Sequence, residues 1–89
     1  MKECYLEVTF RRGKPFAAYL YLPRSAGAKS YRSSKADPGM IIDFDETGRA
    51  IGIEITAPAK VTATDLNRVL SEIGEPLLAE DDVAPLKAA

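Results

Sequence analysis

Apolar and polar side chains alternate one by one through most of the first 22 residues. Every second residue is apolar in residues 4–10 (CYLEVTF), and the same period returns in residues 16–22 (FAAYLYL). This period is typical of strands that bury one face. Residues 11–15 (RRGKP) separate the two runs, and Gly13 there is free to take a positive φ. We predict two strands that pair as a hairpin.

The same alternation appears in residues 40–44 (MIIDF) and 51–55 (IGIEI), on either side of an acidic turn at residues 45–48 (DETG). The aspartate of this turn suits the first position of a type I turn, and its glycine suits the last. Pairing Ile42 with Ile51 places the apolar sets of both strands on one face of the sheet. We therefore predict a second hairpin in this register, which a bulge at the glycine would change.

The apolar period lengthens from two residues to 3.6 in the last third of the chain. The residues that recur at helical spacing are Leu66, Val69, Leu70 and Ile73. Thr62 or Thr64 is suited to cap the start of a helix, and Gly74 is suited to end it. We predict a helix over residues 64–74 whose apolar stripe packs into the core.

Several strands followed by one helix predict an α+β domain: an antiparallel sheet of four to five strands with one C-terminal helix packed on one face. Polar residues 30–36 are counted as an edge strand of this sheet. We expect residues 1–89 to form a single domain with a thin core. Its parts are a β-rich core (1–56), a linker (57–63), the helix (64–74) and an acidic tail (75–89) that forms at most one helical turn and frays at its end, or folds on a second protein.

Composition is that of an ordinary soluble protein, with 46% hydrophobic and 28% charged residues. No apolar run approaches the roughly 20 residues that a membrane span requires, and the first ten residues do not resemble a signal peptide. The single cysteine, Cys4, excludes an internal disulfide and lies in an alternating strand, where it acts as a small buried hydrophobe. We expect a cytoplasmic protein that does not bind membranes.

The chain contains no histidine. Histidine is the commonest general base near neutral pH and the commonest zinc ligand, so a Ser-His-Asp or Cys-His arrangement is excluded. Phosphate-binding glycine loops and paired cysteine motifs are also missing from the sequence. We therefore expect no catalytic residue, no cofactor and no enzymatic activity.

The segment DPGMIIDFDETGRAIGIEI (residues 37–55) resembles a small bacterial family known as domain of unknown function 2283. The shared features are an Ile-Ile-Asp-aromatic-Asp run at 41–45, an acidic turn ending in glycine at 46–48, and a Gly-Ile-Glu-Ile strand at 52–55. The tyrosine-containing strand at 18–22 is also similar, although the family has an aspartate just before it and this chain does not. The resemblance covers roughly residues 3–60. It implies a compact β-rich domain without established enzymatic activity and, since members occur beside small toxin-like proteins, an antitoxin-like or partner-binding role.

The acids of this segment allow two interpretations. Asp43, Asp45, Glu46 and Glu54 are oxygen ligands of the kind that bind magnesium, manganese or calcium, provided that several converge. Alternatively, Asp45 starts the turn while Asp43 and Glu54 face solvent or pair with cations. We prefer the second interpretation and predict no metal, with a carboxylate-based divalent-metal site as an alternative.

Charge is strongly segregated, although the net charge is only −1. Residues 11–35 contain seven cations and no acid, whereas residues 36–89 contain eleven acids and four cations. Cations mixed with aromatic residues are typical of nucleic-acid-binding surfaces. An alternative function is therefore a nucleic-acid-associated or antitoxin-like protein. Its candidate contacts are Arg11, Arg12, Lys14, Arg24, Lys29, Arg32 and Lys35.

One helix can cover only one face of the predicted sheet. The alternation places Tyr5, Tyr19, Tyr21 and Ile41 on the other face. Clustered aromatic side chains on a surface are typical of association sites, and a small domain gains stability from association. We therefore predict a non-enzymatic interaction module that forms a homodimer or binds a partner protein through these four residues.

Overall fold

The computed structural model describes residues 4–24 and 27–87. Its strands are β1 (Tyr5–Arg11), β2 (Lys14–Tyr21), β3 (Arg32–Ala36), β4 (Met40–Phe44) and β5 (Ala50–Ile55), and its α-helices are α1 (Ala63–Glu72) and α2 (Glu80–Val83). The five strands form one sheet in the order β1-β2-β5-β4-β3, and every neighbouring pair is antiparallel. The prediction of an antiparallel sheet of four to five strands with a helix is confirmed, and the sheet has five strands.

The predicted turn between β4 and β5 is present, but the predicted register is wrong by two residues. Ile42 pairs with Ile53, not with Ile51, and an irregularity lies between Asp43 and Phe44. The turn closes one residue later than expected, because the Asp45 amide donates to the Arg49 carbonyl at 2.8 Å. The irregularity accounts for the second residue.

A register shift of two residues leaves each side chain on the same face of the sheet. The residue most affected is Ile51, at the irregular part of the pairing. Ile53 and Ile55 belong to the hydrophobic core, as predicted. Ile51 is also buried, but it lies outside that core cluster, and Ala50 takes its place there. A bulge interrupts the alternation of side chains along a strand, which allows Ala50 to join the core next to buried Ile51.

The helix α1 starts and ends through local chemistry. Thr62 accepts a hydrogen bond from the Asp65 amide and the Asp65 carboxylate accepts one from the Thr62 amide, each at 3.0 Å, which is a capping box. At the other end Gly74 has φ +77°, and the Glu75 amide donates to the Leu70 carbonyl at 2.9 Å. This is the Schellman motif that a glycine after the helix permits.

The core lies between α1 and one face of the sheet. It contains the apolar stripe of the helix, Leu66, Val69 and Leu70, all fully buried. The sheet contributes Ala18, Leu20, Leu22, Met40, Ile42, Ala50, Ile53 and Ile55. The segment predicted as a linker also takes part, since Pro58 and Val61 are buried.

The tail packs on the core and contains a second short helix, α2. The prediction placed α1 at the C-terminal end of the fold, whereas α1 lies before α2 in the chain. Asn67 on α1 donates to the Leu78 carbonyl at 3.0 Å and accepts from the Leu78 amide at 2.8 Å. Val83 in α2 and Leu86 beyond it are buried in the same core cluster. Burial of these apolar groups explains why the tail folds back here, while the predicted fraying at residues 88–89 lies outside the described residues.

None of the helices in residues 4–24 and 27–87 has the length and hydrophobicity needed to cross a bilayer.

Candidate functional site

The sheet face opposite α1 is the candidate site, and we call it the tyrosine face. Two rows of paired residues cross the five strands on this face. The first row consists of Tyr5, Tyr21, Gly52, Asp43 and Ser33, and the second consists of Glu7, Tyr19, Glu54, Ile41 and Lys35. The pairing thus places all four predicted interface residues, Tyr5, Tyr19, Tyr21 and Ile41, on one surface.

Three of these residues form a continuous aromatic cluster. The rings of Tyr5 and Tyr21 stack with their centroids 4.5 Å apart and an interplanar angle of 15°. Tyr19 meets the edge of Tyr21 at 4.7 Å and 64°. The Arg24 guanidinium lies 5.4 Å from the centroid of the Tyr21 ring, and it donates a hydrogen bond to the Ile51 carbonyl. These contacts hold flat, half-buried rings in fixed orientations.

Asp43 connects the aromatic cluster to the edge strand β3. Its Oδ2 accepts a hydrogen bond of 2.7 Å from the Tyr19 hydroxyl, and its Oδ1 accepts one of 2.6 Å from the Ser33 hydroxyl. Gly52 makes the first of these bonds possible. A Cβ at position 52 would collide with the Tyr19 ring and hydroxyl, so only glycine leaves room for this ring to lean across β5.

Two phenol groups of the tyrosine face, those of Tyr19 and Tyr21, have raised pKa values. Burial, the hydrogen bond to Asp43 and the charge of Asp43 raise the pKa of Tyr19 to about 12, and Arg24 offsets part of this. Burial and the hydrogen bond to Glu7, 3.2 Å long, also raise the pKa of Tyr21. Both hydroxyls are therefore neutral hydrogen-bond donors at neutral pH.

The four acids considered as metal ligands are placed separately. Asp43 is held by the two hydroxyls of the tyrosine face, and Glu54 is exposed on the same face. Asp45 organises its turn, since its Oδ1 accepts from the Thr47 amide at 2.9 Å and the Arg49 amide at 3.0 Å. In the part of the chain that the structure describes, no three cysteine or acidic side chains form a group able to hold a metal.

The seven cations of residues 11–35 do not form one surface. Arg11, Arg12 and Lys14 lie at the turn between β1 and β2. Arg24 lies against Tyr21, as described above, and Lys29 is exposed in the loop before β3. The other two belong to β3, where the Arg32 guanidinium lies 4.3 Å from the centroid of the Phe44 ring and Lys35 belongs to the tyrosine face. The seven cations are thus divided among the hairpin turn, the surroundings of Tyr21, the loop before β3 and β3 itself.

Cys4 lies against the hydrophobic core next to β1 and is only partly exposed. Burial, together with the negative charge of Glu75, raises the pKa of its thiol. A raised pKa disfavours the reactive thiolate, which agrees with the expected role of Cys4 as a small hydrophobe.

Sequence reasoning missed the contributions of Gly52 and Ser33 to the tyrosine face, and it counted Arg24 only among the basic residues. A glycine inside a strand often indicates close approach of another group, so Gly52 carried a readable signal. Ser33 and Arg24 carried none, because their places depend on strand pairings with residues distant in the sequence.

Comparison with known proteins identifies only part of the chain. No curated protein and no solved structure matches it. Residues 17–57 match the family described as Protein of unknown function (DUF2283). The matched segment includes β3, β4, β5 and most of β2, with Tyr19, Asp43 and Gly52, whereas β1 and α1 lie outside it. This match over residues 17–57 confirms the resemblance that the sequence predicted.

Proposed function

We propose that the protein is a non-enzymatic interaction module that pairs with a second copy of itself through the tyrosine face. The single observation that carries this proposal is the aromatic cluster on the uncovered face of the sheet. The opposite face is closed by α1 and the tail, whereas Tyr5 is 50% exposed and Tyr19 and Tyr21 are partly exposed.

The chemistry of the tyrosine face suits a protein surface. Tyrosine combines a large apolar ring with a hydroxyl that can donate a hydrogen bond, and it is enriched in protein interfaces. The rings of Tyr5, Tyr19 and Tyr21 are already fixed by mutual contact and by hydrogen bonds, so little side-chain entropy is lost when they are covered. Preorganised aromatic groups of this kind favour association.

Charge complementarity favours a second copy as the occupant. Glu7 lies on the edge strand β1 and Lys35 lies on the opposite edge strand β3, both in the same cross-strand row. A two-fold axis parallel to the strands stacks β1 of one copy on β3 of the other. Glu7 then faces Lys35 of the second copy, and Tyr19 faces Ile41 of the second copy. Such a self-complementary patch is the requirement of a two-fold interface.

The size of the face determines the expected strength. Five strands spaced about 4.8 Å apart make a surface about 20–25 Å wide, which buries less area than the standard interface of about 800 Å² per partner. We therefore expect a weak, concentration-dependent dimer.

The experiment is sedimentation velocity over a series of protein concentrations, with the wild type and Tyr5→Arg. Tyr5 is the best position because its ring is half exposed and lies on the edge strand β1. The matched control is Leu77→Arg, since Leu77 is 63% exposed and lies in the tail, next to Leu78, which is bonded to Asn67 on α1 on the other side of the sheet. The wild type and the control should dimerise at high concentration, and Tyr5→Arg should remain a monomer.

A second variant tests the orientation of the pair. The proposed axis runs along the central strand β5, where exposed Glu54 faces its own counterpart. Removing a like-charge contact worth about 1 kcal/mol should tighten the Glu54→Gln dimer by roughly fivefold. A wild type that sediments as a monomer at every concentration, or a Tyr5→Arg variant that dimerises like the wild type, would refute the proposed function.

A further inference from the structure

A second surface lies at the turn between β1 and β2 and involves none of the residues of the tyrosine face. Residues Ala18 to Tyr21 of β2 pair with β5. The first four residues of β2, 14–17, extend beyond this pairing. Residues 10–16 thus form the outer part of a two-stranded arm, with Phe10 paired to Pro15 and Arg11 paired to Lys14. We call residues 10–16 the basic arm.

The basic arm combines exposed cations with exposed aromatic rings. Phe10 is 49% exposed and Phe16 is 56% exposed. Arg11, Arg12 and Lys14 are exposed as well, and the Arg11 guanidinium lies 5.6 Å from the centroid of the Phe16 ring. Within the described part of the chain, no ion pair joins an acid to Arg11, Arg12 or Lys14.

The apex of the arm adds a second observation. Arg12 and Gly13 have φ angles of +55° and +78°, and they form the two-residue loop between paired Arg11 and Lys14. Positive φ at both central positions defines a type I′ turn, which prefers asparagine, aspartate or glycine. Arginine at this position costs about 1 kcal/mol relative to those residues. Residues in unfavourable backbone conformations are concentrated at functional sites. The strained backbone of Arg12 therefore suggests that its side chain has a binding role.

We propose that the basic arm binds single-stranded nucleic acid. The guanidinium groups of Arg11 and Arg12 and the ammonium group of Lys14 contact phosphates, while the rings of Phe10 and Phe16 stack on unpaired bases. Cationic grooves with aromatic platforms are the usual means of binding single strands, and every base presents a face that can stack. Duplex DNA hides its base faces, so the exposed rings gain nothing from it.

The position of Arg12 favours nucleic acid over an anionic membrane. Arg12 is at the apex of the arm, ahead of Phe10 and Phe16 along the hairpin. Insertion of the two rings into a bilayer would carry the Arg12 guanidinium into the hydrocarbon first, which is costly. When the arm binds a nucleic acid, Arg12 at the apex contacts phosphates and stays in water, so the cost of burying its charge does not arise.

The test is fluorescence anisotropy of a labelled 20-nucleotide oligothymidine with the full-length protein at 50 mM salt. We expect saturable binding that weakens about 20-fold between 50 and 200 mM salt if three phosphates are neutralised. Arg12→Asn should weaken binding and make the salt dependence less steep, yet melt no lower than the wild type, because asparagine suits the turn. Phe16→Ala should weaken binding about fivefold or more, through loss of one stacking contact.

The matched control is Lys29→Gln, which removes an exposed cation outside the arm and should change the affinity little. The proposal is overturned if the oligothymidine does not bind at 50 mM salt, or if Arg12→Asn and Phe16→Ala bind as tightly as Lys29→Gln. It is also overturned if a 20-base-pair duplex binds more tightly than the single strand, or if vesicles of phosphatidylserine and phosphatidylcholine bind and the oligonucleotide does not.

Discussion

The Tyr19 ring lies over Gly52, in the space that a side chain at position 52 would occupy. β5, which contains Gly52, is the central strand of the sheet. A glycine inside a strand normally weakens it, because it adds backbone entropy to the unfolded chain and contributes no side-chain packing. Here the ring of Tyr19 replaces the missing side chain and reaches Asp43 on the next strand.

Replacing Gly52 with alanine should therefore destabilise the fold, although alanine suits a strand better than glycine does. The new Cβ displaces the anchored Tyr19 ring, and overpacking of this kind costs about 1–3 kcal/mol. Chemical denaturation measures the change in the free energy of unfolding. In a Tyr19→Ala background the same substitution should cost less, and an equal cost in both backgrounds would contradict the contact.

Tyr19 should make stability depend on alkaline pH. The pKa of Tyr19 is raised from 10.0 to about 12 in the folded protein, mainly by burial and by the bond to Asp43. Above pH 10 the phenol ionises in the unfolded chain before it does so in the folded one, which favours unfolding. The contribution of Tyr19 is complete below pH 10 and is lost as the pH rises to about 12.

Denaturation of the wild type and of Tyr19→Phe over this pH range isolates the effect, because the phenylalanine ring cannot ionise. As the pH rises, the free energy of unfolding of the wild type should decrease relative to that of Tyr19→Phe. Asp43→Asn removes the carboxylate charge and should lower the pKa of Tyr19 in an absorbance titration. Stability curves of the wild type and Tyr19→Phe that stay parallel from pH 9 to about 12 would show that the pKa of Tyr19 is not raised.

Asp45 should contribute to stability at neutral pH and not in acid. The hydrogen bond from the Thr47 hydroxyl, followed by the backbone amides of Arg49 and Thr47, lowers the pKa of Asp45 from 3.8. The ionised carboxylate is thus favoured in the folded state, so its stabilisation is present above pH 3.8 and disappears as the pH falls through the lowered pKa.

Thermal melting of Asp45→Ala against the wild type tests this expectation. The variant should melt lower at pH 7, and the difference should shrink below pH 3.8. Glu46→Ala is the control, since Glu46 is the exposed neighbour in the same turn. An equally large difference at pH 7 and pH 2.5 would mean that the carboxylate charge plays no part.

Asn67 should determine whether the tail stays docked. Its side chain makes both a donated and an accepted hydrogen bond to the backbone of Leu78, in the way that a neighbouring strand would. Asn67→Ala leaves two partly buried backbone groups unsatisfied, which costs about 1–3 kcal/mol. Hydrogen exchange should become faster at Leu78 and in α2, whereas Ser71→Ala, at an exposed position of α1, should leave this exchange unchanged.

Local chemistry made the outline of the fold readable from the sequence. Alternation alone located β1, β2, β4 and β5, because successive side chains of a strand point to opposite faces. Thr62 and Gly74 marked the limits of α1 for a similar reason, since caps depend on neighbours within a few residues. The register between β4 and β5 was harder to predict from the sequence. Pairing Ile42 with Ile51 or with Ile53 buries the same faces, and only the closing bonds of the turn at Asp45 distinguish the two.

The sequence by itself also determined the membership of the tyrosine face as far as Tyr5, Tyr19, Tyr21 and Ile41, because hydrophobic residues on alternate positions must turn toward the core and leave these on the other side. Only the tertiary structure decided what these residues touch. The pairing of β2 with β5 sets Tyr19 over Gly52, 33 positions later in the chain, and the pairing of β5 with β4 supplies Asp43. Contacts between distant segments depend on strand order, which no local pattern encodes. The glycine at position 52 signals a close approach but does not identify the group that fills the space.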